Sequence, residues 1–233
     1  MTAAIFIALV FAIALLHVVA VGISGRRLKH KQARLQRDLS IAVGVVVLVL
    51  MISYVAGSTD ALTDFRTTPP RLMPFLMLHV LAAALLGLSR FGRRLADGIP
   101  LAALVGFQAF RIPVELILHA KYVDGTIPVQ MTYLGRNFDI VTGVTAIVVA
   151  WLALRGKLTR PVLLAWNTLG LALLGNIVVV AMLSVPGKWR VFLNDPPNTF
   201  VAEMPYTWLP TVLVTTALLG HIVVYRVKWP ARG

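Results

Sequence analysis

Apolar runs long enough to cross a membrane recur along almost the whole chain. Seven such runs occupy residues 2–24, 39–57, 72–89, 99–120, 138–154, 161–184 and 206–225. A helix needs about 20 residues to span about 30 Å of hydrocarbon, and every run is near that length. Runs such as "IAVGVVVLVLMI" do not alternate between apolar and polar residues, as barrel strands would. We therefore expect an all-α fold, a polytopic membrane helix bundle in which residues 1–233 form a single transmembrane domain with seven transmembrane helices.

The basic residues of the chain predict the orientation of this bundle. Hydrophobic residues make up 58% of the 233 residues and charged residues 13%, and the net charge is +13. Connections on one side carry fifteen basic residues against Asp38 and Asp97, whereas connections on the other side carry six basic and six acidic residues. The fifteen are Arg26, Arg27, Lys29, Lys31, Arg34, Arg37, Arg90, Arg93, Arg94, Arg155, Lys157, Arg160, Arg226, Lys228 and Arg232. Cytoplasmic loops are enriched in Lys and Arg, so we expect the N-terminus outside and the C-terminus inside. The basic loops face the lipid bilayer surface in this interpretation, and we expect no nucleic-acid partner.

Several functional classes lack their sequence signals. The chain has no cysteine, which excludes disulfides and thiolate metal sites. A retinal protein needs a lysine deep in its last helix, and Lys228 lies only at the end of that helix. Glycine loops that cradle phosphates and nucleophile elbows are also missing from the sequence. The sequence does not decide whether the chain is an enzyme, but these gaps favour a non-enzymatic role.

One apolar run carries polar residues along a single face. In "FQAFRIPVELILHAKY", Gln108, Arg111, Glu115, His119 and Tyr122 fall within about 80° of one another on a helix. We call these five residues the polar stripe. An isolated charge at the middle of a bilayer costs about 2.5–3.5 kcal/mol, so the stripe has to face the bundle interior or a hydrated cavity. We expect Arg111 to pair with Glu115 one turn away, and Pro113 to kink the helix between them.

Two interpretations of the stripe remain open. The pair could neutralise itself and clamp the helix to its neighbours through Asn167, Asn176 or Ser184. Alternatively the stripe lines a ligand site, since charges inside membranes often serve function. In that case Arg111 holds an anionic or polar group and Glu115 exchanges a proton. The predicted ligand-binding residues are Gln108, Arg111, Glu115, His119 and Tyr122, with His79 and Asp139 beside them.

Histidines suggest other ligands at two membrane depths. His79 and His119 lie in the outer half of the predicted membrane region, and His17 and His221 lie in the inner half. Paired histidines at two depths would suit two haem groups, as in b-type cytochromes. A second arrangement would bind a metal ion through Glu115 and His119, four residues apart, together with His79. The sequence leaves the identity of any cofactor unknown.

Three stretches carry a resemblance to a known group of proteins. "FRIPVELILH", "GRNFDIVTG" and "FVAEMPYTWLP" with "LLGH" resemble segments of a bacterial family of small multi-pass membrane proteins, similar over most of the chain. The resemblance implies a multi-pass protein of the bacterial cytoplasmic (plasma) membrane. It implies no activity.

From these features we expect an outward-facing polar cavity within the membrane, which binds or translocates a small solute or protons. A haem- or quinone-binding redox subunit is the first alternative. The second is an accessory subunit of a larger membrane complex, whose stripe packs against another membrane protein or a second copy of the chain.

Overall fold

The computed structural model describes residues 2–229, and this part of the chain contains helices and turns but no strand. The helices are α1 (Thr2–Arg27), α2 (Gln32–Gly57), α3 (Leu72–Leu88), α4 (Arg90–Gly98), α5 (Leu101–Gly106), α6 (Arg111–Val123), α7 (Asp139–Leu154), α8 (Arg160–Met182) and α9 (Thr215–Tyr225). A 3-10 turn at Phe107–Phe110 joins α5 to α6, and a π-helical turn at Leu209–Val214 leads into α9. The all-α prediction is confirmed. Arg232, which entered the charge count above, lies outside the described residues.

Within residues 2–229, four to five helical segments are long and apolar enough to cross a membrane. Four of them are α1, α2, the continuous segment Leu101–Val123 and α8. A fifth is formed if α3 and α4, which are bent by 61° at Ser89, count as one span. The segments predicted as the fifth and seventh spans are shorter apolar helices, Asp139–Leu154 and Leu209–Tyr225. The fold is therefore that of a helical membrane protein.

The bend at Ser89 and the 3-10 turn before Pro113 have local causes in the sequence. Ser89 ends α3 and caps α4, since its Oγ accepts a hydrogen bond from the Phe91 backbone N–H at 3.0 Å. The basic stretch 90–98, expected as a loop, is thus a short helix. Pro113 has no backbone N–H and its ring crowds the carbonyl four residues earlier, and the helix tightens to 3-10 geometry at Phe107–Phe110, just before this point.

Helix α6 lies within a bundle of packed helices. This helix packs against α1 and α7, α7 packs against α8, and α8 packs against α9, while α3 packs along α9. By contrast, α2 is mostly exposed, with Val47 and Leu48 at 50% and 57%. Exposed apolar side chains on a helix of this length suit contact with lipid. Many of the buried polar side chains in residues 2–229 lie between α6, α7, α8 and α9.

Candidate functional site

Arg111 forms a buried ion pair with the first residue of α7. The guanidinium is 3% exposed, and its Nη1 donates to Asp139 Oδ1 at 3.2 Å and to the Gly170 carbonyl at 3.4 Å. Within residues 2–229, the pair expected between Arg111 and Glu115 is not formed. The arginine side chain crosses to α7 and α8 instead of following α6 by one turn. The two charged residues of the stripe therefore have separate partners.

Glu115 is held by Asn137, from the loop before α7. Glu115 is 2% exposed, and its Oε1 accepts a hydrogen bond from Asn137 Nδ2 at 2.7 Å. The same amide nitrogen donates to the Met131 carbonyl at 3.2 Å, while Asn137 Oδ1 accepts from the Asp139 backbone N–H at 3.2 Å. One amide thus connects the Glu115 carboxyl group to the backbone of Asp139. Asn137 was not among the ligand-binding residues predicted from the sequence.

A second polar contact lies between α8 and α9. Asn167 Nδ2 donates to the His221 carbonyl at 3.0 Å, and Asn167 Oδ1 lies 2.8 Å from His221 Nδ1. Since the amide oxygen can only accept, this network assigns the proton to Nδ1 and a lone pair to His221 Nε2. A Cβ atom on Gly170 would lie 2.6 Å from the His221 ring and 2.8 Å from the Thr142 methyl group. His221 and Thr142 therefore stand beside the carbonyl that accepts from Arg111.

These residues form one group inside the bundle, which we call the buried polar cluster. Its members are Gln108, Arg111, Glu115, Asn137, Asp139, Thr142, Asn167 and His221, all at most 6% exposed. In the described chain, several of its atoms meet no hydrogen-bond partner: Gln108 Oε1, Arg111 Nε and Nη2, Glu115 Oε2, Thr142 Oγ1 and His221 Nε2. Buried polar groups are normally paired with protein or ordered water, so this cluster has unused capacity for polar occupants.

A cavity of about 90 Å³ reaches the carboxyl groups of the cluster. Glu115, Asn137 and Asp139 line one end of it, and Asn198 is the remaining polar wall residue. All other wall residues are apolar and come mainly from α3, α6, α8 and the π-helical turn. Met77, one of them, is 45% exposed, so the cavity opens on the side of α3. We call Glu115, Asn137, Asp139 and this cavity the carboxyl site.

The other predicted site residues lie apart from the carboxyl site. Among the described residues, Gln108, Arg111, His119 and Tyr122 are not part of its wall. Gln108 Nε2 donates to the Ala217 carbonyl at 3.1 Å. The His119 ring stacks on Tyr133, with centroids 4.8 Å apart, and Tyr122 lies beside it at 6.3 Å. The structure thus places Gln108 against α9, and His119 and Tyr122 beside Tyr133, rather than around one polar cavity with Glu115.

His79 belongs to a different cavity. Its Nδ1 lies 2.8 Å from the Phe75 carbonyl, and the ring lines a cavity of about 170 Å³ together with His17. His17 contacts the Ile13 carbonyl at 2.8 Å and Thr216 Oγ1 at 3.2 Å. The cavity therefore brings together His17 and His79, which were not predicted as a pair, while His221 is engaged with Asn167. Haem binding stays a prediction.

The predicted three-ligand metal site is not formed. Over residues 2–229, no three His, Asp or Glu side chains come close enough together to hold a metal ion. Glu115 is bound by Asn137, His119 stacks on Tyr133, and His79 faces another cavity. The spacing of Glu115 and His119 is right for two ligands, but the third ligand is elsewhere in the bundle.

The chain belongs to the family described as a domain of unknown function, DUF8737, whose sequence model matches residues 68–227. The match covers α3 to α9 and every member of the buried polar cluster, whereas α1 and α2 precede it. No curated protein and no solved structure shows significant similarity to the chain. The family description carries no activity, so function has to be argued from the site.

Proposed function

We propose that this protein is an integral membrane protein that binds a small solute at the carboxyl site and exchanges a proton there. The observation that carries the proposal is the environment of Glu115. Its side chain is 2% exposed, lines the cavity beside Asp139, and has an Oε2 atom without a hydrogen-bond partner in the described chain. This oxygen is therefore free to accept a hydrogen bond from a solute in the cavity.

The stability of the folded protein does not by itself explain why these buried charges are present. Replacing a buried ion pair by apolar residues of similar volume is often neutral or stabilising. Ionisable residues within membrane segments more commonly mark paths for ions, protons or substrates. Glu115 and Asp139 meet this description because the cavity reaches both of them.

The charges of the cluster support proton exchange. It contains one guanidinium, from Arg111, and two carboxyl groups, from Glu115 and Asp139. The set is electrically neutral when one carboxyl group holds a proton, and loss of that proton leaves one negative charge beside the cavity. A net charge is costly in a medium of low dielectric constant, so proton loss would be coupled to the arrival of a compensating group.

The proposal includes seven spans in the bacterial cytoplasmic membrane, with the N-terminus outside. At 1.5 Å per residue, Asp139–Leu154 and Leu209–Tyr225 are about 24–26 Å long. Local thinning of the bilayer accommodates spans that are a few ångströms short. With the basic connections inside, the start of α7 and therefore the carboxyl site lie toward the outer face.

Infrared spectroscopy of the protein in lipid nanodiscs tests the proton exchange. A protonated carboxyl group has a C=O stretching band that disappears on ionisation. We expect a pH-dependent carboxylic acid band in the wild-type protein that is missing in Glu115→Gln or in Asp139→Asn. Glu203→Gln is the matched control, because Glu203 is the other glutamate of the chain and is exposed. An unchanged band in both site variants would refute the proposal.

A further inference from the structure

We propose that the solute bound at the carboxyl site is a lipophilic ammonium ion, an alkyl chain that ends in one charged amine. This inference rests on the proposed function of the same site. The structure supports it at both ends of the cavity: the polar end offers hydrogen-bond acceptors of negative charge, and the remaining walls are apolar.

The polar end favours a cation with N–H donors. Glu115 Oε2 is a buried carboxyl oxygen without a partner in the described chain, and Asp139 lies on the same wall. An ammonium group has three N–H donors and no acceptor, which suits such oxygens. An anion would face two carboxyl groups, since the Arg111 guanidinium is not among the described wall residues. The anionic ligand predicted for Arg111 therefore has no access through this cavity.

The apolar walls argue against a bare inorganic cation. Ca²⁺ needs six to eight oxygen ligands, and Mg²⁺ needs six in near-octahedral geometry. In the part of the chain that the structure describes, the polar wall residues are Glu115, Asn137, Asp139 and Asn198. Four of the seven methionines of the chain also line the cavity, namely Met73, Met77, Met131 and Met182. Methionine is flexible and polarisable and fits irregular apolar shapes, so these walls suit a range of alkyl groups.

The size and position of the cavity indicate how the chain of the ligand is accommodated. Its volume of about 90 Å³ is smaller than an engineered cavity of about 150 Å³ that binds benzene. The amine and its first carbons would fill it, and the rest of the alkyl chain would leave past Met77. Beyond this edge, Leu78 and Leu81 of α3 are 63% and 55% exposed, so the surface stays apolar. The ligand thus reaches the site from the hydrocarbon region.

Binding is coupled to release of a proton. The carboxyl O–H bond breaks, its proton passes to water, and the resulting carboxylate pairs with the ammonium group. One positive charge enters the site and one leaves, so the cluster stays neutral. The reaction needs no oxidant, reductant or further reactant.

The test uses n-octylamine as the probe, with n-octanol and octanoate as the neutral and anionic controls of equal length. The full-length protein in phosphatidylcholine nanodiscs is titrated by calorimetry in two buffers that differ in protonation enthalpy, and empty nanodiscs give the partitioning into lipid. We expect saturable binding of octylamine with release of about one proton, and no saturable binding of either control. Glu115→Gln should weaken binding by about 30-fold or more, as expected for loss of a buried charge partner, while Glu203→Gln leaves it unchanged.

A second pair of variants tests the location without touching a charge. Ala181 lies on the cavity wall and Ala172 is exposed on the same helix. Ala181→Leu should weaken octylamine binding, and Ala172→Leu should not.

Equal binding of octanol and octylamine, or full binding by Glu115→Gln, would overturn the ligand assignment. If octylamine fails to bind while the infrared band still depends on Glu115, only the ligand assignment is wrong; if that band is independent of both carboxyl groups, the proposed function fails as well.

Discussion

Arg111 Nη1 lies 3.2 Å from Asp139 Oδ1, and this buried pair joins the start of α6 to the start of α7. Asp139 is also the first residue of its helix, where the helix dipole stabilises a negative charge. The carboxylate is thus stabilised from two directions, by the guanidinium and by the helix end. Within residues 2–229, the guanidinium of Arg111 has this carboxylate and the Gly170 carbonyl as its hydrogen-bond partners.

Removal of one partner of this buried pair should be costly. Arg111→Met should destabilise the protein by about 3–5 kcal/mol, because it leaves the Asp139 carboxylate buried without its guanidinium. The double variant Arg111→Met/Asp139→Leu should regain most of that loss, since paired apolar replacements are often neutral. Thermal unfolding in detergent measures both. Arg66→Met is the control, because Arg66 and Asp64 are also 3.2 Å apart but the arginine is 94% exposed, and its unfolding midpoint should not move. A double variant as unstable as the single one would contradict the prediction.

Asn137 should matter more than its position in a loop suggests. Asn137→Ala removes the donor to Glu115 Oε1 and leaves that buried oxygen without its amide, which costs about 1–3 kcal/mol. Asn176→Ala serves as the matched control. Asn176 also donates at 2.7 Å, to the Arg136 carbonyl, but it is exposed, so the loss should stay within about 0.5 kcal/mol. Equal losses of stability in the two variants would show that the Asn137 contact contributes no more than an exposed contact does.

Substitution of two glycines of α8 by alanine distinguishes the effect of close packing from the effect of helix propensity. Gly170→Ala places a methyl group against the His221 ring and Thr142, and we expect destabilisation of about 1–3 kcal/mol through overpacking. Gly175 has open space around it on the same helix, so Gly175→Ala should stabilise the protein by about 0.5–1 kcal/mol. Unfolding midpoints measured side by side give the difference. A stable Gly170→Ala protein would mean that the cluster can move away from the new methyl group.

The positions of the long helices could be predicted from the sequence because lipid leaves the backbone few choices. Every N–H and C=O group in hydrocarbon has to be paired internally, so a long apolar run has to be a helix. The runs 2–24 and 161–184 accordingly lie within two or three residues of α1 and α8. The basic stretch 90–98 gave no such signal. Water or lipid headgroups can form hydrogen bonds with the backbone of this stretch, so its composition does not require a helix. The local signal for the helix is Ser89, whose side chain caps its start.

The burial of three stripe residues was predictable from the sequence, but their contacts were not. The 3.6-residue period put Gln108, Arg111 and Glu115 on one face, and all three are buried. Their partners come from the loop before α7 and from α7, α8 and α9, at sequence separations of 22 to 109 residues. No period encodes these contacts. The residue four positions away was therefore predicted as the partner of Arg111, whereas the first residue of α7, Asp139, supplies the carboxylate.

Topology can be measured directly because the chain has no cysteine, so single cysteines meet no background. Thr126 and Lys157 flank α7, Lys188 and Lys228 flank the segment 209–225, and all four residues are exposed. With seven spans and the N-terminus outside, Thr126→Cys and Lys188→Cys should react with a membrane-impermeant maleimide on intact cells. Lys157→Cys and Lys228→Cys should react only after the membrane is permeabilised. The reaction after permeabilisation is also the control for accessibility of each thiol. If α7 does not cross the membrane, Thr126→Cys and Lys157→Cys will label from the same side, and the outer position of the carboxyl site has to be abandoned.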